Sequence, residues 1–216
     1  YEKCLVIPIK GEIPTFKNKN LLEYMSESIF SSKLIDSFYV ATDNLETSKI
    51  AKTLGYSIAK IRSAELSTPK TSIEDVHYWH LNVLENDLNY YPDVIIHAEI
   101  TFPFRQNNLI DELIKSFLSS GADTVIPSKS EYSWAWQHKE QNSLVRLDEG
   151  DIPRTFKKSL LLGSHGLGCV THAEVVRENT LVGQKVYLHN IDDQVSFIEV
   201  RSQSDVDFIF KRMRNV

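Results

Sequence analysis

The stretch Cys4-Leu5-Val6-Ile7-Pro8-Ile9, halted by Lys10-Gly11, decides how the chain is read. An unbroken apolar run bounded by a turn signal suits a strand buried on both faces, the condition of a parallel sheet with helices on either side. Outward from it, Leu21, Leu22, Met25, Ile29 and Phe30 recur at helical spacing and predict a helix over about 21–34. Phe38-Tyr39-Val40-Ala41 reads as a second strand ending at Thr42-Asp43-Asn44, and a helix over 45–54 is closed by Gly55. A third strand is expected over 56–60, ahead of Arg62. There follow a helix over about 72–88, a strand over 94–98, an amphipathic helix over 109–118 and the strand Thr124-Val125-Ile126. Strands alternating with helices of this length are the pattern of βαβ units, so the expected class is α/β with a mostly parallel sheet. From about 132 to 162 the alternation lapses and aromatic and basic residues collect, which reads as a small arm or insertion. The pattern resumes with a strand over 167–170, a last strand over 195–200 and a closing helix over 204–213.

A chain of 216 residues is expected to form a single domain over 1–216. Apolar residues make up 42% and charged residues 25%, a balance that argues against disorder. No apolar run approaches the ~20 residues of a bilayer span, and no secretory signal pattern opens the sequence. Cys4 and Cys169 are too few for a disulfide framework or a thiolate zinc site, so a cytoplasmic location is expected. A net charge of −5 is a poor footprint for nucleic acid. Neither nucleic acid nor membrane is expected as a partner.

Ligands of parallel sheets sit beyond the carboxyl ends of the strands, which directs attention to the loops 10–20, 42–44, 62–70 and 99–105. The first carries Lys10, Lys17 and Lys19 ahead of a helix. Ammonium groups and helix-terminal amides together can hold a polyphosphate, and the same composition also suits a solvated basic loop. The loop has neither the dinucleotide glycine pattern nor a Walker A lysine. His77 and His80, three apart on a helix, flank Tyr78-Trp79, which points to packing rather than to a shared metal. The glycines of 163–168 precede a strand and suit a close backbone approach. Asp192-Asp193 reads as a polar turn. Tyr132, Trp134 and Trp136 alternate, so they share a buried face, a subunit contact or a sugar-pocket wall; spacing leaves the three open.

Five segments in order resemble the CMP-sugar synthetases, especially the acylneuraminate cytidylyltransferases and relatives acting on other 2-keto-3-deoxy acids. Ile7-Pro8-Ile9-Lys10-Gly11 through Lys19-Asn20-Leu21 is similar to the family's opening Ile-Pro-Ala-Arg-Gly-Gly-Ser-Lys loop and its Lys-Asn-Leu. Ala41-Thr42-Asp43-Asn44 resembles its Ser-Thr-Asp-Asp, and Arg62-Ser63-Ala64-Glu65-Leu66 its Arg-Pro-x-x-Leu. Glu99-Ile100-Thr101-Phe102-Pro103-Phe104-Arg105 resembles Gln-Pro-Thr-Ser-Pro-Leu-Arg, and 120–125 is Ser-Gly-Ala-Asp-Thr-Val as in the family. The resemblance implies a three-layer, Rossmann-like nucleotidyltransferase fold. It implies attack of a sugar-acid hydroxyl on the α-phosphate of CTP with loss of pyrophosphate, assisted by Mg²⁺. The partners it implies are CTP, a small acidic sugar and a second copy of the chain, docked through the arm at about 132–162.

Carried onto this sequence, the nucleotide side comprises Ile9, Lys10, Gly11, Lys19, Asn20, Asp43, Arg62 and Lys70. Lys10, Lys17 and Lys19 are the catalytic cations, Glu99, Thr101, Arg105 and His165 face the acceptor, and Glu99 and Glu199 hold the metal. The departures are specific. Lys10 replaces an arginine, and Glu12, Ile13 and Pro14 stand where the family has glycine, serine and lysine, so Lys17 is expected to take over the lysine's phosphate. Glu99 replaces a glutamine. The family's Asp-Ile-Asp metal motif corresponds to Glu199-Val200-Arg201, whose cation would repel magnesium. Two readings follow: an active enzyme with a rearranged site, or a homologue that keeps the fold as a nucleotide- or sugar-binding partner subunit.

Overall fold

A computed structural model describes residues 1–140 and 143–214. In chain order the strands are β1 (Lys3–Ile9), β2 (Thr15–Phe16), β3 (Lys19–Asn20), β4 (Ser37–Thr42), β5 (Val94–His97), β6 (Thr124–Glu131), β7 (Trp136–His138), β8 (Leu144–Arg146), β9 (Leu160–Gly163), β10 (Cys169–His172) and β11 (Val186–Asn190). The helices are α1 (Leu21–Phe30), α2 (Leu45–Thr53), α3 (Ile73–Leu88), α4 (Leu109–Ser120), α5 (Ala173–Arg177) and α6 (Gln203–Arg214).

The run that opened the sequence reading is the middle of the sheet's parallel half, with β4 on one side and β5 on the other. Its side chains part by the strand's period of two. Leu5, Ile7 and Ile9 enter the larger core with Leu22 and Met25 of α1, Leu113 of α4 and Ile209 of α6. Cys4 and Val6 enter a second core with Leu84 of α3 and Val176 of α5. Helix, sheet and helix thus make three layers. The seven-stranded sheet runs β11-β6-β10-β5-β1-β4, with β9 also on β6. Five of its strands share one direction, while β10 and β9 run against it. Reversed β10 starts opposite the end of β5, pairing Cys169 with His97. The turn leading into β10 therefore arrives at the carboxyl edge of the parallel strands. Among the described residues no helix is long and apolar enough to cross a membrane.

Two expected strands do not form. In 56–60 only Ser57 bridges to β4; the chain then leaves the sheet edge and returns to it where the Arg62 amide donates to Thr42 O at 2.8 Å. In 195–200 the Asp193 carboxylate accepts from the Val195 and Ser196 amides and folds the segment into a turn. Helix α1 stops at Phe30 rather than near 34 because Asp111 of α4 takes the Lys33 and Leu34 amides and the Ser32 hydroxyl. In the arm, β7 and β8 form a hairpin. Trp134 and Trp136 are exposed, which excludes a buried face, and the Arg146 guanidinium lies 4.9 and 5.4 Å from their rings. The carboxylate of Asp148 is buried between Arg146 and Lys157. Gln141 and Asn142 of the arm lie outside the described residues.

Candidate functional site

The carboxyl edge of β1 and β4 is fastened by one acid. Asp43 accepts from the Gly11 amide at 2.8 Å, and the Thr47 hydroxyl donates to Gly11 O at 2.7 Å. Gly11 has a φ of +67°, where a side chain would be strained. Burial pushes the Asp43 carboxyl up, but the Gly11 amide, its own backbone, Ser67 and the Arg62 charge outweigh that and hold it below the usual range. Arg62 is buried beside it, donating to Ile9 O and Ala41 O at 3.4 Å and to the Ser67 hydroxyl at 3.2 Å. Burial lowers its pKa, countered by Asp43.

Lys10 and Arg62 open onto one cavity of about 140 Å³, walled also by Ile9 and by the hydroxyl residues Ser67, Thr68, Thr71 and Ser72. That is below the ~300–1,000 Å³ of a complete ligand pocket, so it has the size of a subsite rather than of a whole one. Lys70 is exposed within the same 68–71 turn.

The other lysines go elsewhere. Lys17 and Asn18, both at positive φ, form the two-residue turn of the β2–β3 hairpin. Lys17 Nζ pairs with Asp207 of α6 at 2.9 Å and lies 4.6 Å from the Phe210 ring centre. Lys19 Nζ lies over the Tyr24 ring. The structure thus joins Lys10 to Arg62 but brings neither Lys17 nor Lys19 to their cavity, because an acid and two aromatic rings of α1 and α6 draw them away. Asn20 is occupied as the N-cap of α1, in a reciprocal capping box with Glu23.

A second cluster lies at the end of β5. His77 Nε2 and His97 Nδ1 are 2.8 Å apart and buried; His97 Nε2 lies 3.3 Å from Glu99 Oε1, and His165 Nε2 lies 3.5 Å from the same oxygen. The Thr101 hydroxyl is 3.4 Å from Glu99 Oε2. Burial keeps His77 and His97 neutral by lowering their pKa. The His97 hydrogen bond lowers that of Glu99 against its own burial, so the carboxylate is ionised.

Arg105, assigned to the acceptor from sequence, is 3% exposed and serves as a bracket. Its Nε donates to Leu167 O at 3.0 Å, and its Nη2 to Glu99 O at 3.1 Å and Gly166 O at 3.4 Å. Gly166 admits this closeness, since a Cβ there would meet Glu99 Oε1 at 2.7 Å. Glu199 lies nearby, because Val200 N donates to Thr101 O at 2.7 Å, but its carboxylate pairs with Arg201.

Among the described residues, His97, Glu99 and His165 form a group able to share an ion. Two imidazoles and one carboxylate do not fit Mg²⁺, which takes oxygen ligands. Neither His97 nor His77 is among the site residues that the motifs mark. The available signal was a histidine ending an apolar strand two residues before an acid, hence on the same face. His80 does not join them; its ring is buried against Tyr39 without a hydrogen-bond partner.

A family model described as Cytidylyltransferase matches residues 12–158. No curated protein matches the chain. Among solved structures, the fold is similar to 4-diphosphocytidyl-2C-methyl-D-erythritol synthase from Anaerococcus prevotii DSM 20548, at TM-score 0.69 and 12% identity over 99% of this chain and 98% of that one. It is also similar to CMP:2-keto-3-deoxy-manno-octonic acid synthetase complexed with CTP, at TM-score 0.67 and 10% identity over 100% and 99%. At such identities the likeness bears on the fold alone.

Proposed function

The chain belongs to the cytidylyltransferase family, and from that premise we propose that it transfers CMP from CTP to a hydroxyl of a small sugar acid of the 2-keto-3-deoxy type, releasing pyrophosphate. The observation that carries this reading is the cavity shared by Lys10 and Arg62 at the carboxyl ends of β1 and β4, with the loop start latched by Asp43. Arg62 and the hydroxyls around it bind the nucleoside part, and Lys10 meets the phosphates. The acceptor oxygen attacks the α-phosphorus and passes its proton to solvent, while the bond from the α-phosphorus to the bridging oxygen breaks and pyrophosphate leaves with the electron pair. Positioning and charge neutralisation supply most of the acceleration. Glu99, Thr101 and His165 frame the acceptor side at the neighbouring strand end. The family generally uses a divalent ion; Mg²⁺ would enter on triphosphate and water oxygens.

The proposal extends to a homodimer docked through the arm, supported by exposed Trp134, Trp136 and Phe156, and to a cytoplasmic location, supported by two free, buried thiols. The second reading, a binding subunit without turnover, is favoured by the engagement of Lys17 with Asp207 and of Glu199 with Arg201. Pyrophosphate release is measured with CTP, Mg²⁺ and a panel of 2-keto-3-deoxy acids and methylerythritol phosphate, alongside the thermal shift produced by CTP. Release with a sugar acid supports transfer. A CTP-induced shift without release supports the subunit reading, and absence of both refutes each.

A further inference from the structure

We propose that His97, Glu99 and His165 form a binding site for a tetrahedrally coordinated transition-metal ion, of which Zn²⁺ is the test case, with His77 orienting His97. Their ligand atoms all lie within 4.8 Å of one another. Both imidazole Nε2 atoms converge on one oxygen, Glu99 Oε1, at 3.3 and 3.5 Å. Charge-assisted hydrogen bonds are shorter, about 2.7–2.9 Å. Two donors about 2.0–2.1 Å from zinc at the tetrahedral angle stand about 3.3–3.4 Å apart. Neighbouring ligands of octahedral magnesium stand about 3.0 Å apart. The spacing and the donor types agree: imidazole nitrogen suits zinc and its transition-metal neighbours, not magnesium. His165 is half exposed, with its ring stacked on that of His97 at 5.3 Å between centroids.

The surroundings are built for such a role. With an ion bound, the His97 proton would sit on Nδ1 and be donated to His77 Nε2, the outer hydrogen bond that ligating histidines make, in place of the Nε2–H that serves Glu99 without the ion. Arg105 ties the β5 end to the turn before β10 through three carbonyls, so the two segments supplying ligands are held together before any ion arrives. Gly166 leaves room for the carboxylate between them. Three protein ligands leave a fourth position open, as in sites that take up a water or a substrate oxygen. Filling it with a hydroxyl or carboxylate oxygen of the acceptor rests on the cytidylyl-transfer reading above; the ion site itself does not.

The tag-free, full chain is stripped with chelator and titrated with Zn²⁺, Co²⁺ and Mg²⁺ separately by calorimetry, with bound metal measured after dialysis. One Zn²⁺ per chain, no saturable Mg²⁺ uptake in the absence of nucleotide, and an intense visible Co²⁺ band are expected. His165→Ala, at a half-exposed position, lowers zinc affinity about 100-fold or more, and His77→Gln about 10–100-fold. Circular dichroism checks that each variant folds, and His165→Ala carries the test if His77→Gln does not. Absence of zinc uptake, or uptake unchanged in His165→Ala, overturns the site. CTP binding with Mg²⁺ is measured on the stripped protein, so that zinc uptake without CTP binding or turnover counts against cytidylyl transfer and leaves the metal site standing.

Discussion

Replacing Gly166 by alanine tests how closely the two halves of the proposed acceptor side must approach. The added Cβ would lie 2.7 Å from Glu99 Oε1, 2.8 Å from its Cδ and 2.9 Å from Phe102 Cε2, whereas ordinary contact begins near 3.4 Å. The carboxylate must therefore retreat by about 0.7 Å, which pulls it from both imidazoles, and Phe102 must give as well. No backbone strain contributes, since Gly166 does not sit at positive φ. Overpacking of this kind costs about 1–3 kcal/mol. At about 2–4 °C per kcal/mol for a chain of this size, Tm falls by about 2–12 °C. Misplacement near the reacting groups lowers turnover more steeply, up to about 100-fold per ångström. Differential scanning calorimetry and pyrophosphate release on Gly166→Ala, Glu99→Asp and the double variant separate the causes. Shortening the acid by one methylene relieves the carboxylate clash but not that with Phe102. The double variant should therefore regain part of the lost stability, with a coupling of about 0.5–3 kcal/mol. A Tm within 1 °C of the parent in Gly166→Ala (about the scatter between scans), or strictly additive variants, would refute the steric account.

Lys10→Ala should weaken CTP binding at least about tenfold, the loss of one charged contact, while Lys17→Ala costs at most about 1 kcal/mol of stability and leaves CTP binding near the parent value. Isothermal titration of both variants decides whether Lys17 has left the nucleotide. Arg105→Ala strands the Glu99, Gly166 and Leu167 carbonyls and should destabilise by about 3–5 kcal/mol in urea unfolding; Arg105→Lys restores less than half of that, since an ammonium cannot span all three. His80 is held neutral by burial, its pKa at about 3, below the unfolded chain's ~6.5. The unfolded chain therefore gains a proton first, and stability present above about pH 6.5 falls toward pH 3 by ~1.4 kcal/mol per pH unit. His80→Leu removes that one proton from the slope, leaving the contributions of His77 and His97, and is neutral or stabilising at pH 7 because both ring nitrogens lack partners.

The sheet and its layers were legible because burial on two faces leaves an unbroken apolar signature in β1 and β5. The 195–200 segment misled because the Asp193 carboxylate supplied a local partner for its amides, while in 56–60 only Ser57 pairs with the outer edge of β4. Reversed β10 could not be foreseen, since strand direction depends on where the chain returns from the arm. At the site, Lys10 and Arg62 were readable as residues following strand ends. The direction of Lys17 depended on Asp207 and Phe210, distant in sequence. His97 hid inside an apolar run, and its pairing with His77 depended on how α3 lies against β5.

The reversed strand has a consequence for how the molecule comes off the ribosome. β10 lies between β5 and β6, yet its pairing partner in β5 was made some seventy residues earlier. Until 169–172 emerge, β5 and β6 present open ladders to each other and to solvent, the condition under which nascent chains recruit chaperones or stick to one another. Inserting β10 joins the two halves of the sheet and, through the turn immediately before it, delivers His165 and Gly166 to Glu99 in the same stroke. Formation of the His97, Glu99 and His165 cluster is thereby tied to the joining of those two halves.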